Sequence, residues 1–314
     1  MLGQLMAGAA HPYSPLIVLS TVFLLAGFGY KIAAFPFHMW APDVYDGSPT
    51  AVSAFLAAGS KKMGFAALFK VFLVGLIAVR ADWDVLVAIV AVATMTIGNV
   101  LALSQTNIKR MLAYSSVAQA GYMLIALPVA AVADPVTGQY ALAGGIFHIL
   151  THAFMKAGAF IVVAALIAVG LSERLDDFRG LSRRAPLMAF SMAVFLVSFA
   201  GIPPLAGFAS KFVLFSGAVQ ASLAPEHGWL IFLVIAGVLN SAVSLWYYAR
   251  VVRVMYVDEP EAHQTAPLRL PKAITASVVV ALLAVILIGL APGPFIDISL
   301  RAAESVITAG TPFR

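Results

Sequence analysis

Three titratable side chains stand at helical spacing in the apolar run over residues 144–163. They are His148, His152 and Lys156, each four residues from the next. In an α-helix this spacing places all three on one face, over about 12 Å along the axis. Imidazoles and desolvated amines gain and lose protons near neutral pH, so the face predicts a proton relay. The alternative is a metal site, because His-x-x-x-His suits zinc, but no acidic residue or cysteine stands nearby to complete it.

The basic residues are sorted by type between apolar segments and loops, whereas the acidic residues all fall in the predicted loops and tails. One charged lysine at mid-membrane costs about 3 kcal/mol, so six would cost about 15–20 kcal/mol, comparable to the stability of a whole domain. Lysine, unlike arginine, gives up its proton when it is desolvated. Such side chains are therefore predicted proton carriers. All six basic residues inside apolar segments are lysines, namely Lys31, Lys61, Lys62, Lys70, Lys156 and Lys211.

Two short windows that each centre on a lysine resemble one another. Residues 27–35 read GFGYKIAAF and residues 207–215 read GFASKFVLF, and both share a glycine, a phenylalanine, the lysine and the final phenylalanine. Because both windows lie in apolar segments, the match predicts an internal repeat of the kind found in membrane transporters.

Each of these lysines stands beside residues that interrupt helices. Pro36 follows Lys31 by five residues, and the segment 201–207, which reads GIPPLAG, precedes Lys211. Proline removes a helical hydrogen bond and kinks or ends a helix, so we expect a break beside each lysine. A helix broken at mid-membrane is tolerated only where it lines a hydrated or protein-filled interior. The residues expected to form the breaks are Pro36, Gly201, Pro203, Pro204 and Gly207.

Composition assigns the chain to the polytopic helical membrane proteins. Of its 314 residues, 62% are hydrophobic and 11% are charged, against about 25% charged in soluble domains. The sequence contains no cysteine, which excludes disulfides, thiolate metal sites and cysteine-held iron–sulfur clusters. Its formal charge of +5 is dispersed, so it does not indicate nucleic-acid binding.

Apolar runs predict an all-α bundle of eight spans, at about 15–35, 52–78, 84–104, 111–133, 140–170, 187–217, 229–256 and 273–292.

The charge of the connections predicts how the bundle is oriented. Ten basic residues fall in the loops after spans one, three, five and seven, whereas the N-terminus, the other loops and the C-terminal tail hold three. Basic loops of membrane proteins face the cytoplasm, so both termini are expected outside. The ten residues are Lys109, Arg110, Arg174, Arg179, Arg183, Arg184, Arg250, Arg253, Arg269 and Lys272.

Spans two, three, four and seven carry further polar and aromatic residues. Lys61 and Lys62 are about 100° apart on a helix, so at most one of them faces a given path. Lys70 lies about 12 Å from the end of span two, where it either extends to the headgroups or contributes to the path. The aromatic run 246–248 is typical of an interfacial belt. Residues expected to form hydrogen bonds between helices are Gln105, Asn107, Ser115, Ser116 and Gln119.

Three motifs carry a resemblance to a known family. They are FPFHMWAPD at 35–43, GIPPLAGF at 201–208 and the His-x-x-x-His-x-x-x-Lys run at 148–156. Together they resemble the antiporter-like membrane subunits of respiratory complex I, a family shared with Mrp-type cation/proton antiporters. The sequence VYDG at 44–47 most resembles the N-type subunit, and the histidine run also resembles the N subunit of archaeal enzymes.

The resemblance implies a single membrane domain with an inverted-repeat fold. This chain resembles the C-terminal eight helices of the family, so residues 15–78 would end the first repeat and residues 84–256 would form the second five-helix repeat. Residues 273–292 would then be the terminal helix. The membrane glutamate that pairs with the equivalent of Lys31 is expected outside this sequence, in an upstream extension, a second chain or a partner.

The resemblance also assigns site residues, motif by motif. Lys31 and Lys211 match the lysines of the first and second broken helices, and Lys61 matches the lysine of the helix after the first break. The residues of the implied proton path are Lys31, Lys61, His148, His152, Lys156 and Lys211. Further candidates for the path are Lys62, Lys70 and His38.

These features predict a multi-pass subunit of the cell membrane that translocates protons within a complex I-like quinone oxidoreductase. The chain itself would carry out no redox chemistry, and quinone, flavin and iron–sulfur clusters are expected on partner membrane and redox subunits. Two alternatives stay open at this point. One is a subunit of an Mrp-type sodium/proton antiporter, and the other is a structural spacer that conducts no protons.

Overall fold

The chain folds into a bundle of helices. The computed structural model describes residues 15–260 and 266–310, and the regular elements within them are all helical. Six helices there are long and apolar enough to span a bilayer, which confirms the predicted all-α membrane fold. The α-helices are α1 Pro15–Ile32, α2 Trp40–Gly47, α3 Thr50–Phe55, α4 Lys61–Lys70, α5 Asp84–Leu103, α6 Ile108–Val132, α7 Pro135–Ile167, α8 Leu181–Arg184, α9 Pro186–Ala200, α10 Ala206–Ser222, α11 Ile231–Tyr256, α12 Lys272–Leu290 and α13 Gly293–Gly310.

Two of the eight predicted spans are interrupted helices. In the second span, the π-helical turn Leu56–Ser60 joins α3 to α4, and a second π-helical turn, Val71–Gly75, follows α4. Such turns are rare and concentrate at functional sites. The sixth span is divided into α9 and α10, as its proline-rich centre predicts. The other six spans correspond to α1, α5, α6, α7, α11 and α12.

Helix α6 is the most buried of the six spanning helices, and small residues let α5 approach it closely. Of its most apolar 18-residue stretch, 94% is buried. A Cβ added at Gly98 on α5 would lie 2.5 Å from the backbone nitrogen of Ala118. A Cβ added at Gly121 on α6 would lie 2.5 Å from Cγ of Met95. Contacts between small residues are a common way for helices to pack inside membranes, and here they fix α6 against α5.

Both predicted helix breaks are present, and each lies beside a lysine. Helix α1 ends one residue after Lys31, and the chain turns through residues 33–39 before α2 begins. Helix α9 ends directly before Gly201, and α10 begins five residues before Lys211. Gly201 adopts a φ of +87°, in the left-handed region that glycine enters without steric penalty. The two lysines lie on opposite sides of their breaks, so the matching windows do not occupy equivalent positions.

The loops predicted to share one side of the membrane meet at one end of the bundle. The backbone nitrogen of Ile108, after span three, donates to the carbonyl of Glu173, after span five, at 2.9 Å. The side chain of Asn107 donates to Asp46, after span one, at 2.8 Å. Arg250, near the end of span seven, donates to the carbonyl of Leu103, the last residue of α5, at 3.2 Å and to the carbonyl of Gln105 in the loop after span three. The loops that the charge pattern assigns to one side of the membrane therefore lie at the same end of the bundle.

A buried lysine holds three segments together at this end. Lys109, 2% exposed, donates to the carbonyls of Asp46 and Ser48 at 2.6 and 2.9 Å and to Glu173 Oε1 at 2.8 Å. Asn107 caps α6 by accepting from two backbone nitrogens of its first turn. Burial by itself would raise the pKa of Glu173, but hydrogen bonds from Lys109 and Asn107 outweigh burial and lower the pKa.

Several acidic residues lie in helices, so the expectation that all of them fall in loops and tails is wrong. Asp43 and Asp46 belong to α2, and Asp84 begins α5. Asp297 and Glu304 belong to α13, which follows α12 where a tail was expected. Helices α2 and α13 mix polar with apolar residues, so they contain no long apolar run that would predict a span.

Gly207→Ala is expected to destabilise the protein. Gly207 stands in the first turn of α10, and a Cβ there would lie 1.8 Å from the carbonyl oxygen of Ser198 on α9. The two halves of the broken helix would have to separate, at a cost of about 1–3 kcal/mol, so the thermal unfolding temperature in detergent should fall. Gly27→Ala is the control, because nothing lies within 4 Å of its added Cβ. An unchanged unfolding temperature for Gly207→Ala would contradict this packing.

The Glu173→Gln variant is expected to lose less stability than the wild-type protein when the pH falls. Because folding lowers the pKa of Glu173, its carboxylate stabilises the fold above the unfolded-state pKa, and this contribution disappears as the pH falls through the folded-state pKa. We therefore expect the wild-type unfolding temperature to fall more than that of the variant between about pH 7 and about pH 3. Glu304→Gln, at an exposed position of α13, is the control. Identical pH profiles for wild type and Glu173→Gln would refute the coupling.

Candidate functional site

The three titratable residues predicted on one helix face lie together in the interior of the bundle. His148, His152 and Lys156 project from α7, and each is 0% exposed. Their hydrogen-bond partners come from α4, α6 and α10. We call these three residues, together with the buried lysines Lys61, Lys62 and Lys211, the central site.

Lys156 is held by the backbone and a hydroxyl of α6 and by an aromatic ring. Its Nζ donates to the carbonyl of Leu112 at 2.8 Å and to the hydroxyl of Ser115 at 2.9 Å. It also lies 4.3 Å from the centroid of the Phe199 ring, which is a cation–π contact. All of these partners are neutral, so the proton of Lys156 can leave without separating an ion pair.

His152 contacts a lysine of the second span. The Nζ of Lys62 lies 2.5 Å from Nδ1 of His152. The neighbouring Lys61 is also buried, and it donates to the carbonyl of Ser116 on α6 at 2.7 Å. The two adjacent lysines thus reach different partners, as their angular separation on a helix predicts. An amine and an imidazole that share one hydrogen bond can exchange a proton directly.

His148 connects α7 to both halves of the broken sixth span. Its Nδ1 lies 2.9 Å from the hydroxyl of Ser210 on α10, and its Nε2 lies 2.9 Å from Oε1 of Gln119 on α6. The Nε2 of Gln119 donates in turn to the carbonyl of Phe199 on α9 at 3.2 Å. Gln119 therefore forms hydrogen bonds between helices, as predicted, and one of its partners, His148, belongs to the central site.

The break in the sixth span supplies an acceptor for Lys211. In an intact helix the carbonyl of Phe199 would accept from the residue four positions on, but that residue is Pro203, which has no N–H. The Nζ of Lys211 donates to this carbonyl at 2.9 Å and to the hydroxyl of Ser241 at 3.0 Å. It also lies 4.2 Å from the centroid of the Tyr122 ring. The proline frees the oxygen that holds the lysine.

A groove between α10 and α11 reaches Lys211 from the surface. Its volume is about 630 Å³, and its walls include Gly201, Phe208, Phe215 and Ser241. Lys211 forms part of the inner wall and is itself 4% exposed. Lys211 therefore lies closer to the surface of the protein than Lys156 does.

Three other candidate residues lie apart from the α7 face. Lys31 and Lys70 are exposed on the surface of the chain, and Nζ of Lys31 donates to the hydroxyl of Ser60 at 3.0 Å. His38 is 3% exposed, and both of its ring nitrogens are buried without a hydrogen-bond partner among the described residues. The structure thus groups four lysines and two histidines and leaves these three residues outside that group.

The prediction of an aromatic belt is wrong for two of its three residues. Trp246 is 74% exposed, as a belt residue would be, whereas Tyr247 and Tyr248 are 0% and 1% exposed. A signal for this was present in the sequence, because Asn240, Ser244, Tyr247 and Tyr248 stand at i, i+4, i+7 and i+8 and share one helix face. The face turns toward the interior, where the hydroxyl of Tyr248 is bonded to that of Ser115.

Neutral groups surround the charged atoms of the central site. Within residues 15–260 and 266–310, its four lysines form no ion pair, and no three His, Asp or Glu side chains converge as metal ligands. Carbonyl oxygens, hydroxyls, imidazoles and aromatic rings hold the amines instead. The arrangement suits the transfer of protons between neighbouring bases.

The sequence matches one family of membrane subunits over most of its length. The family model described as NADH:quinone oxidoreductase/Mrp antiporter, TM, matches residues 3–243. The F(420)H(2) dehydrogenase subunit N of Methanosarcina mazei is 50% identical over 303 residues, and the NADH-quinone oxidoreductase subunit N of Desulforamulus reducens is 44% identical over 294 residues. Each alignment covers 94% of this chain and 58% of the relative, so the chain spans little more than half the length of these relatives.

Solved structures share the fold. A chain of respiratory complex I from Thermus thermophilus with bound aureothin has a TM-score of 0.72 and 33% identity, covering 92% of this chain and 60% of that one. A chain of the Mrp complex from Dietzia sp. has a TM-score of 0.81 at 22% identity, covering 94% of this chain and 60% of that one, which is a likeness of fold alone. The N-type resemblance is confirmed by the curated relatives. This chain therefore belongs to the family of NADH:quinone oxidoreductase and Mrp antiporter membrane subunits.

Proposed function

We propose that this chain translocates protons across the membrane as the N subunit of a complex I-like quinone oxidoreductase. The observation that carries the proposal is the central site, where four lysines and two histidines are buried among spanning helices with neutral partners. Burying amines inside a membrane protein is costly, and ionisable residues found there mark functional sites such as proton relays. The 50% and 44% identical relatives, both named as N subunits of dehydrogenase or oxidoreductase complexes, support the same assignment.

The proposed path begins at Lys61 and Lys62 and continues through the α7 face to Lys211. The contact of Lys62 with His152 provides the entry to that face, and Lys211, which is the member of the central site that lines the groove between α10 and α11, ends the path. Lys31 is accessible on the surface of the chain. We infer that its acidic partner lies outside this sequence, on the part of the longer relatives that this chain does not cover or on a second subunit.

We further infer that the end of the bundle that carries the basic loops faces the cytoplasm, with both termini outside. The ten basic residues in or beside these loops support this orientation. Arg250 and Arg253 stand in the last two turns of α11, and Lys109, Arg110 and Lys272 stand in the first turn of α6 or α12. The family match, and not the two lysine windows, supports residues 84–256 as the second inverted repeat and residues 15–78 as the end of the first. Redox energy would reach the chain from partner subunits that hold the flavin, the iron–sulfur clusters and the quinone site.

A sodium/proton antiporter subunit is the second candidate. It is supported by the shared fold of the Dietzia Mrp chain, whereas the more similar curated relatives favour the oxidoreductase. The purified assembly separates the two. An oxidoreductase subunit predicts quinone reduction coupled to proton uptake in sodium-free buffer, and an antiporter subunit predicts exchange that requires sodium and no electron donor.

Lys211→Ala is expected to abolish proton translocation, because it removes the last amine of the proposed path. The measurement is proton uptake into vesicles that hold the complete assembly, recorded together with quinone reduction. Lys70→Ala is the matched control, since this lysine is exposed and lies outside the central site. Translocation at the wild-type rate in Lys211→Ala would instead support a structural spacer that conducts no protons.

A further inference from the structure

A single phenylalanine at the break in the sixth span contacts several members of the central site. Phe199 is the next-to-last residue of α9 and is 0% exposed. Its ring contacts residues of α7, and its backbone carbonyl accepts a hydrogen bond from α10. Phenylalanine has no titratable group, so it lies outside the proposed path although it touches residues of that path on two sides.

The ring of Phe199 contacts two consecutive titratable residues of α7. The Nζ of Lys156 lies 4.3 Å from the ring centroid, and the ring of His152 lies 5.6 Å away, measured between centroids. The face of an aromatic ring carries negative charge density, so it attracts an ammonium group more strongly than a neutral amine. The contact of the ring with Lys156 therefore depends on whether the lysine holds its proton.

A tyrosine of α11 fixes the orientation of this ring. The ring of Tyr248 stacks on that of Phe199, with an interplanar angle of 24° and a centroid distance of 5.7 Å. The hydroxyl of Tyr248 is bonded to that of Ser115, which also accepts a hydrogen bond from Lys156. Two of the groups that hold Nζ of Lys156, the ring and the serine hydroxyl, thus depend on the same tyrosine.

The backbone carbonyl of Phe199 holds a second amine. It accepts from Nζ of Lys211 at 2.9 Å and from Nε2 of Gln119 at 3.2 Å. The side chain of Lys211 passes close to Gly201, where an added Cβ would lie 3.2 Å from Cδ of the lysine. A hydrogen bond from an ammonium group is about twice as strong as one between neutral groups. This contact therefore also depends on protonation.

Lys156 and Lys211 are connected through Phe199 and not to each other. They share no hydrogen bond within residues 15–260 and 266–310, but both of them contact this phenylalanine. The ring and the carbonyl belong to one residue, two positions before the left-handed turn at Gly201. A displacement of this end of α9 would therefore move both contacts together.

We propose that Phe199 is a positioning residue that couples Lys156 to Lys211. The inference rests on the proposed function. The ring lowers the cost of an ammonium group at Lys156, and the carbonyl does the same at Lys211. Because the ring and the carbonyl are covalently joined, the position of Phe199 that holds one charged amine also holds the other. The phenylalanine thus links a proton on α7 to the amine that ends the path, and it carries no proton itself.

The first test weakens the negative face of the ring and keeps its shape. Phenylalanine analogues with one, two and three ring fluorines are introduced at position 199 of the chain in the complete assembly, and proton uptake into vesicles is recorded together with quinone reduction. Each fluorine withdraws charge from the ring face, so we expect uptake to fall stepwise, to about a third of the wild-type rate or less with three fluorines. Phe160 is the matched control position, because its ring is 0% exposed and packs against Tyr45.

The second test asks whether the two amines are coupled. Ser241→Ala removes one of the two hydrogen-bond acceptors of Lys211 and leaves the carbonyl of Phe199 as the other. In this variant, three fluorines on Phe199 should reduce uptake by a larger factor than they do in the wild-type chain. Equal factors in the two backgrounds would show that Phe199 holds the amines independently, and would overturn the coupling.

The outcomes separate this inference from the proposed function. Uptake that stays at the wild-type rate across the fluorine series, with uptake lost in Lys211→Ala, would overturn the role of Phe199 alone. An equal decline when Phe160 carries the fluorines would assign the effect to packing and would also overturn that role. Retained uptake in Lys211→Ala would overturn the proposed function itself.

Discussion

The cost of an ammonium group in an apolar interior is the constraint on which the rest of the structure depends. Each such group at mid-membrane costs about 3 kcal/mol unless acceptors are provided. The broken sixth span provides one, since Pro203 leaves the carbonyl of Phe199 free for Lys211. Helix α6 provides others, because the carbonyls of Leu112 and Ser116 accept from lysines, using lone pairs that helical hydrogen bonds leave open.

The chain uses buried lysine in two ways that differ in the partner. Lys109 is bonded to the carboxylate of Glu173 as well as to two carbonyls, and it joins three segments at the end of the bundle that carries the basic loops. The lysines of the central site have neutral partners. A carboxylate stabilises the charged form and keeps the proton in place. Neutral acceptors leave the proton free to move, so the choice of partner separates a structural lysine from one suited to transfer.

What the sequence could predict was local, and what it missed depended on how distant helices pack. The breaks followed from the chemistry of Pro36 and Pro203, and the α7 face followed from spacing alone. The inward turn of Tyr247 was missed, because an aromatic run near a span end also fits an interfacial belt. The contact of Lys62 with His152 joins residues 90 positions apart. Such a contact depends on the rotation of two helices, which hydropathy does not specify.

The π-helical turns and α13 show a second limit of the sequence. A π-helical turn has no residue signature comparable to that of proline, so the sequence predicts ordinary helix where the turn Leu56–Ser60 precedes Lys61. Helix α13 is amphipathic, and its polar residues interrupt the apolar run that would predict a span. In both cases the element is fixed by its neighbours in the fold rather than by its own composition.

The most direct test of the central claim, that the buried amines exchange protons along one hydrophilic line, is a high-resolution electron cryomicroscopy map of the complete assembly in lipid. We expect ordered water molecules and side chains to connect Lys61, the α7 face and Lys211 without an apolar gap wider than one water molecule. A map in which apolar side chains separate these amines, or in which they extend to the lipid headgroups, would contradict the account.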